Sequence, residues 1–404
     1  MSSKSKINLN DRHYDHMLLA LLPLIICACI IYSYRVLLIC GTAFVTARIV
    51  DVAMAVLRKQ EIDTVDKSST VAALTFCMML PVSIPLYVVV MTVALTILVG
   101  KHVFGGKDVY PFNLAALAMC TAAVNWPNEV FRAVKPFTPV NFWTGAAQTA
   151  VSGATRIKNG GLPYISIVDL LLGNHAGAMG TSFVVIIGVV GLFLILNKKI
   201  TWHVPVTFLV TCAVIALAFP RIYGISRVDS LKFELLTSAI VFYAVFMLNE
   251  PATTPKNPKA KIIFGLLCGV LTMLFRYYGS FEIGGCFALL LINATEGYWD
   301  RLFDKKAPHH NEEAVVRQPA EKTPVHAEKK AEPETEKAES KKVYKAVESD
   351  KHAKAKQSKT SVGATISMIS RAEDNLDQVE FSTLSIDVGE ALKAFEEKYN
   401  KEDR

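Results

Sequence analysis

No two cysteines in this sequence stand in a CxxC spacing. Cys27, Cys29, Cys40, Cys77, Cys120, Cys212, Cys268 and Cys286 all fall inside apolar stretches. That pattern excludes a zinc or iron–sulfur centre built from this chain alone, and the thiols read as small buried hydrophobes. A cleavable leader is also missing: the first apolar segment starts near Met17, has no small-residue cleavage site and runs straight into another span. Charge is scarce between residues 14 and 298, which leaves too few polar groups to wet a soluble domain of that size. Residues 304–404 lack the opposite thing. Glu, Lys, Ala and Pro dominate there through about residue 359, with almost no large apolar side chains, so burial cannot offset the entropy of ordering. A disordered cytoplasmic tail is expected, carrying one short amphipathic helix over 388–398. The formal net charge of +7 suits the cytoplasmic loops of a membrane protein, and no nucleic-acid partner is expected.

What is present is a series of apolar segments: 17–33, 36–57, 71–99, 112–125, 182–196, 204–219, 231–248, 262–275 and 284–294. Arg35 marks a tight turn between the first two. The run 71–99 exceeds the roughly 20 residues that cross a bilayer, and Pro81 and Pro85 divide it in two. The expectation is an all-α polytopic membrane protein of ten spans, preceded by a cytoplasmic segment 1–13. A shorter apolar run, 162–172, followed by Gly173, Gly177 and Gly180, reads as a half-helix or re-entrant piece. Phe104-Gly105-Gly106 leading to Pro111-Phe112-Asn113 is echoed by Ile283-Gly284-Gly285 leading to Phe287. Five spans separate the two copies, which predicts two inverted five-helix repeats with broken helices at their interface. Arg58-Lys59, Lys101, Lys198-Lys199, Lys256, Lys259, Lys261, Arg301, Lys305 and Lys306 fall on one side, which the positive-inside rule makes cytoplasmic along with both termini.

The loop 126–161 is then extracytoplasmic. It holds Ser152-Gly153-Ala154-Thr155, small residues around a secondary hydroxyl that a modifying enzyme could reach. Taken alone the stretch is ordinary loop composition. Arg132, Lys135, Arg156 and Lys158 run against the charge bias there; a phosphate group or lipid headgroups would each account for them. Asn113 at the start of a span is a candidate ligand for an ion or flavin, or simply a helix cap. Glu250 at the end of a span is a candidate ligand for a coupling ion, or an interfacial carboxylate paired with a lysine. Among the other carboxylates in apolar segments (Asp51, Asp169, Glu234 and Glu282), Asp169 is favoured for ion coupling because it lies in the broken segment, and an interior face is expected for it.

Several stretches together carry a family resemblance: Leu80-Pro81 through Lys101-His102-Val103-Phe104-Gly105-Gly106, Pro111-Phe112-Asn113-Leu114-Ala115, Ser152-Gly153-Ala154-Thr155, Leu170-Leu171-Leu172-Gly173-Asn174 with Gly180-Thr181-Ser182, and Glu250-Pro251-Ala252-Thr253-Thr254-Pro255 running on to Asn293. In this order they resemble the D subunits of Rnf complexes and their relatives, the B subunits of sodium-pumping NADH:quinone reductases, over residues 14–303; the short amino-terminal extension favours the former. The resemblance implies a membrane-bound bacterial or archaeal complex that moves electrons between ferredoxin and NAD and couples this to Na+ or H+ translocation. It implies FMN esterified through its phosphate to Thr155, with Arg156 and Lys158 beside the phosphodiester, and a noncovalent riboflavin deeper in the membrane domain. Implied partners are a flavin transferase, membrane lipid and the other Rnf proteins: the flavin-carrying RnfG, the membrane proteins RnfA and RnfE, the NADH-binding RnfC and the ferredoxin-binding RnfB. The chain departs from the family pattern at Thr149, where an acidic residue is usual, after Gly180, and at Glu250, where Asp is common. The competing readings are an inverted-repeat solute or ion channel without flavin, a subunit of the quinone-reductase type, and an assembly scaffold working through its tail.

Overall fold

In hydrocarbon a backbone must pair its own polar groups, and a helix does so within one segment. The computed structural model, which describes residues 9–60, 63, 66–222, 224–279 and 283–295, is accordingly helical, with two isolated β-bridges and no strand among the described residues. The tail 304–404, the helix expected at 388–398 and Glu282 lie outside the described residues.

The first half consists of α1 (Leu9–Tyr32), α2 (Arg35–Leu57), α3 (Ser68–Met78), α4 (Leu86–Leu95, prolonged by a π-helical turn, Thr96–His102) and α5 (Leu114–Asn125). Short helices α6 (Pro127–Val130), α7 (Gly153–Lys158) and α8 (Ile167–Leu172) punctuate the central loop. The second half consists of α9 (Val184–Leu196), α10 (His203–Ala218), α11 (Arg227–Leu236), α12 (Ile240–Phe242, with a π-helical turn, Tyr243–Met247), α13 (Pro258–Tyr278) and α14 (Gly284–Asn293). By length and composition, three helices among the described residues can each cross a membrane alone: Arg12–Tyr32, Arg35–Leu57 and Pro258–Tyr278. The pair Arg227–Leu236 and Ile240–Met247 makes a fourth if counted as one bent span; the other apolar helices are shorter.

Two breaks organise the bundle. The first follows α3, where Pro81 and Pro85 cannot donate to the helical ladder. The carbonyls stranded there find partners from far along the chain: Gly180 N donates to Met78 O at 2.8 Å and Met179 N to Leu80 O at 2.9 Å. The guanidinium of fully buried Arg35 donates to Val82 O, Ile84 O and Phe142 O at 2.9, 2.7 and 2.5 Å. The reading of Arg35 as a turn marker needs correction. The turn is made by Ser33 and Tyr34; Arg35 opens α2 and turns inward to serve the break.

The second break bends α11 against α12 by 62°. Here hydroxyls compete for helix carbonyls: Thr237 Oγ1 donates to Phe233 O at 2.6 Å and Ser238 Oγ to Glu234 O at 3.2 Å. A buried arginine serves this break too, with Arg276 Nη2 donating to Glu234 O at 3.1 Å. Apolarity alone marks residues 231–248 as one uninterrupted span and gives no sign of the bend.

Between the halves, α1 packs on α9 and α5 on α14; within the second half, α10 packs closely along α13. That last approach depends on Gly265 and Gly269. An added Cβ would collide with Thr207 Oγ1 at the first and come within 2.8 Å of Thr211 Cβ at the second. One end of the bundle gathers the start of α1 (His13 to Lys199 O, 3.1 Å), the loop before α5 and the loop after α12. Helix α7 sits at the opposite end, with the C-terminal ends of α10 and α13.

Candidate functional site

Ser152 is nearly buried in extended conformation and caps α7, its Oγ accepting from Thr155 N at 3.1 Å. The same oxygen lies 2.9 Å from Thr155 Oγ1. The strand-like approach to this cap is pinned by the Val134–Thr149 bridge and by Ala150 N donating to Ala133 O at 3.0 Å. Gly153 faces the second helix break, where a Cβ would meet Thr237 Cγ2 at 3.1 Å. Ala154 and Ile157 turn inward onto Ile222, with Ile225 and Phe233 alongside. Helical spacing then sends Thr155 outward, half-buried, and leaves Arg156 and Lys158 exposed. Lys158 follows Thr155 by three residues and so shares its face. Arg156 sits 6.0 Å from the ring centre of Tyr164. The motif thus has an anchored inner face and a presented hydroxyl. The chemistry fits acceptance of a phosphoryl group: an accessible secondary alcohol, a neighbouring hydroxyl 2.9 Å away and cations on the same turn and the next.

Beneath the cap a small cavity of about 50 Å³ lies between the two breaks, lined by Ser152, His175, Thr181, Ser182, Ser238 and Tyr243 among others. Its polar lining comes from separate stretches of the chain, and His175 carries no motif that would draw attention to it in the sequence.

Asn113 is nearly buried and uses both ends of its amide. Oδ1 accepts from Ala116 N at 2.9 Å, capping α5, and Nδ2 donates to Met247 O at 2.9 Å. The cap therefore describes it, and it ties α5 to the π-helical turn of the other half. Glu250 lies at the opposite end of the bundle from Thr155. Its Oε1 accepts from Tyr14 and from Tyr110, each at 2.7 Å, and the two phenols are 2.9 Å apart. Two tyrosines, from α1 and the loop before α5, thus hold this carboxylate in place of the lysine that one of its two readings called for, and nothing in the sequence marks them as a set.

Asp169 does not take the interior face expected of it. It sits in the first turn of α8 at the surface, where Ser166 is the cap, and its carboxylate accepts from Ser166 Oγ at 2.7 Å and Asn174 Nδ2 at 3.0 Å; these hydrogen bonds hold its carboxyl below the usual range. The serine three residues upstream is the signal that identifies this role. Glu234 does take an interior face, 3.0 Å from Arg276 Nη2 and 3.7 Å from Arg221 Nη1. A second charged cluster leaves no pattern in the sequence. Fully buried Lys101 Nζ donates to Asp66 Oδ2 at 2.7 Å and Ser69 Oγ at 2.6 Å, and reaches Asp51 Oδ1 at 3.3 Å. His102 Nε2 is 2.9 Å from the same Asp51 oxygen. Burial works to raise the Asp66 carboxyl, but the Lys101 ammonium and the Ser68 hydrogen bonds outweigh it and hold it below the usual range.

The family model described as NQR2, RnfD, RnfE matches residues 4–308. A relative from Clostridium ljungdahlii, named as the D subunit of a proton-translocating ferredoxin:NAD(+) oxidoreductase complex, is 26% identical over 298 residues, spanning 70% of this chain and 87% of the relative. Proteins named as the D subunit of an ion-translocating oxidoreductase complex are similarly related: 26% over 313 residues in Mannheimia succiniciproducens and 27% over 305 residues in Pseudomonas aeruginosa, covering 69% and 68% of this chain and 87% of each relative.

Proposed function

The chain belongs to the NQR2, RnfD, RnfE family, and on that premise we propose that it is the D-type membrane component of an ion-translocating ferredoxin:NAD+ oxidoreductase complex, carrying FMN on Thr155. The observation that carries the site is the pairing of Ser152 Oγ with Thr155 Oγ1 on a helix whose inner face is locked to Ile222. A flavin bound there would supply one- and two-electron redox chemistry. The chain's own part is to hold the acceptor hydroxyl outward and to set Arg156 and Lys158 where a phosphodiester charge would be met.

Ion movement is assigned to the interface of two inverted five-helix repeats spanning residues 14–303. The contacts of α1 with α9 and of α5 with α14, the proline break between α3 and α4 and the 62° bend between α11 and α12 support that arrangement. The Lys198-Lys199 loop meets the start of α1 at the end that holds Glu250, which supports a cytoplasmic face there, with the termini, and an outer face at α7. Glu250, held by two phenols, is preferred to Asp169 as the ion-coupling carboxylate. The remaining Rnf subunits, a flavin transferase and membrane lipid are the partners this reading calls for, and a noncovalent riboflavin in the membrane domain belongs to it as a further proposal. In-gel flavin fluorescence of the denatured chain tests the site: wild type should fluoresce and Thr155→Ala should not. Equal fluorescence from both would remove the assignment.

A further inference from the structure

A groove beside α7 is walled by cations and aromatic rings. The groove, about 820 Å³ and open to the surface, is lined by Ile157, Lys158, Phe219, Arg221, Tyr277 and Met273, among others. Its volume lies within the roughly 300–1,000 Å³ usual for ligand sites. Arg221 donates to Arg276 O at 2.9 Å, lies 3.7 Å from Glu234 Oε1 and stands 4.8 Å above the Tyr277 ring. Arg276 pairs with Glu234 at 3.0 Å, deeper in the wall. Arg276 and Glu234 are almost wholly buried, whereas Arg221 is 17% exposed and lines the open space. Arg221 and Lys158 therefore give the groove a positive field against apolar walls, where low dielectric strengthens its pull on an anion.

The groove adjoins the acceptor. Thr155 and Lys158 share one face of α7 across a single turn, and Lys158 lines the groove. Ile157 and Ala154 clamp α7 onto Ile222, the residue next to Arg221, so hydroxyl and cationic wall are fixed to one another. Aromatic surface stands at the mouth: Phe219 is 66% exposed and Tyr278 87%.

We propose that this groove seats the isoalloxazine ring of the flavin carried by Thr155, with Arg221 facing the ring's pyrimidine edge and Tyr277 beside it. The inference rests on the covalent-flavin reading above. Reduction places negative charge on that edge of an isoalloxazine, and Arg221 would favour the reduced form there by direct electrostatics. A lipid chain would suit the apolar lining, yet it has no tether one turn away, and only a headgroup phosphate could answer Arg221.

The test uses the full chain in detergent, co-produced with a flavin transferase, as wild type, Arg221→Leu, Arg221→Lys, Tyr277→Leu and Tyr277→Phe. Each is read by the mass of the Thr155 peptide, by native against denatured flavin fluorescence, by flavin midpoint potential and by co-purified phospholipid. Every variant should keep the flavin mass. Native fluorescence is quenched several-fold in wild type and Tyr277→Phe and is released in Tyr277→Leu. The midpoint potential falls in Arg221→Leu and stays near wild type in Arg221→Lys, which keeps the charge should the leucine variant fold poorly. Intact loading with wild-type fluorescence and potential in all variants would overturn the ring site, and loss of phospholipid alone in Arg221→Leu would reassign the groove to lipid. An unmodified wild-type peptide would instead overturn the underlying function, and the ring site with it.

Discussion

Single residues far from Thr155 hold the polar interior together, and their removal has calculable consequences. Arg35 satisfies two carbonyls at the first break, Val82 O and Ile84 O, and Phe142 O of the central loop. Arg35→Met would leave them stranded, and unmet buried groups cost roughly 1–3 kcal/mol each. A loss of at least about 3 kcal/mol is expected from three such groups, read as a lower thermal midpoint in detergent. Asp66 gives a pH signature. Its carboxyl is held below the ordinary range when folded, so its contribution is complete above the unfolded value and is lost as pH falls through the depressed folded value. Wild type should lose thermal stability below about pH 4, while Asp66→Asn starts lower at neutral pH and shows less of that acid-dependent loss. Glu250→Gln keeps a partner for both phenols and removes the charge. If it couples ion movement, ferredoxin-linked NAD reduction persists in sealed vesicles while the ion gradient falls to background; an unchanged gradient would return Glu250 to a structural role. Motif residues are legible in the sequence because they are contiguous, as in Ser152 to Thr155. Arg35, Tyr14, Tyr110 and Lys101 are not, because their partners lie 32 to 236 positions away and nothing local betrays them.

Among the elements, apolar runs locate the principal helices to within a few residues except at the start of α1, because a backbone in lipid needs an uninterrupted ladder; length is a weaker guide, since most of these helices are shorter than a span. Prolines announce the break after α3 by lacking donors. The bend between α11 and α12 stays hidden since Thr237, Ser238 and Ala239 are all tolerated in helices, and only the hydroxyl bonds to Phe233 O and Glu234 O reveal the competition. Close packing of α10 on α13 yields a direct prediction. Gly269→Leu drives a branched side chain into Thr211 and Phe208 O, and overpacking of this kind costs roughly 1–3 kcal/mol, read as a lower thermal midpoint. Gly188→Leu on α9, where nothing lies within 4 Å of the added carbon, should leave the midpoint near wild type and serves as the control.

Across the described residues, the break after α3 and the bend between α11 and α12 meet around a small cavity, and each is supplied with a buried arginine. Helix α7 rests on the second break at one end, and the Tyr14, Tyr110 and Glu250 cluster lies at the other. On the proposed function, a redox carrier and an ion-handling carboxylate then stand at opposite ends of one bundle. Mass spectrometry of the Thr155 peptide from the native assembled complex tests this most directly. The peptide should carry one added FMN phosphoryl group on Thr155, lost in Thr155→Ala. An unmodified Thr155 peptide from an active complex would contradict it.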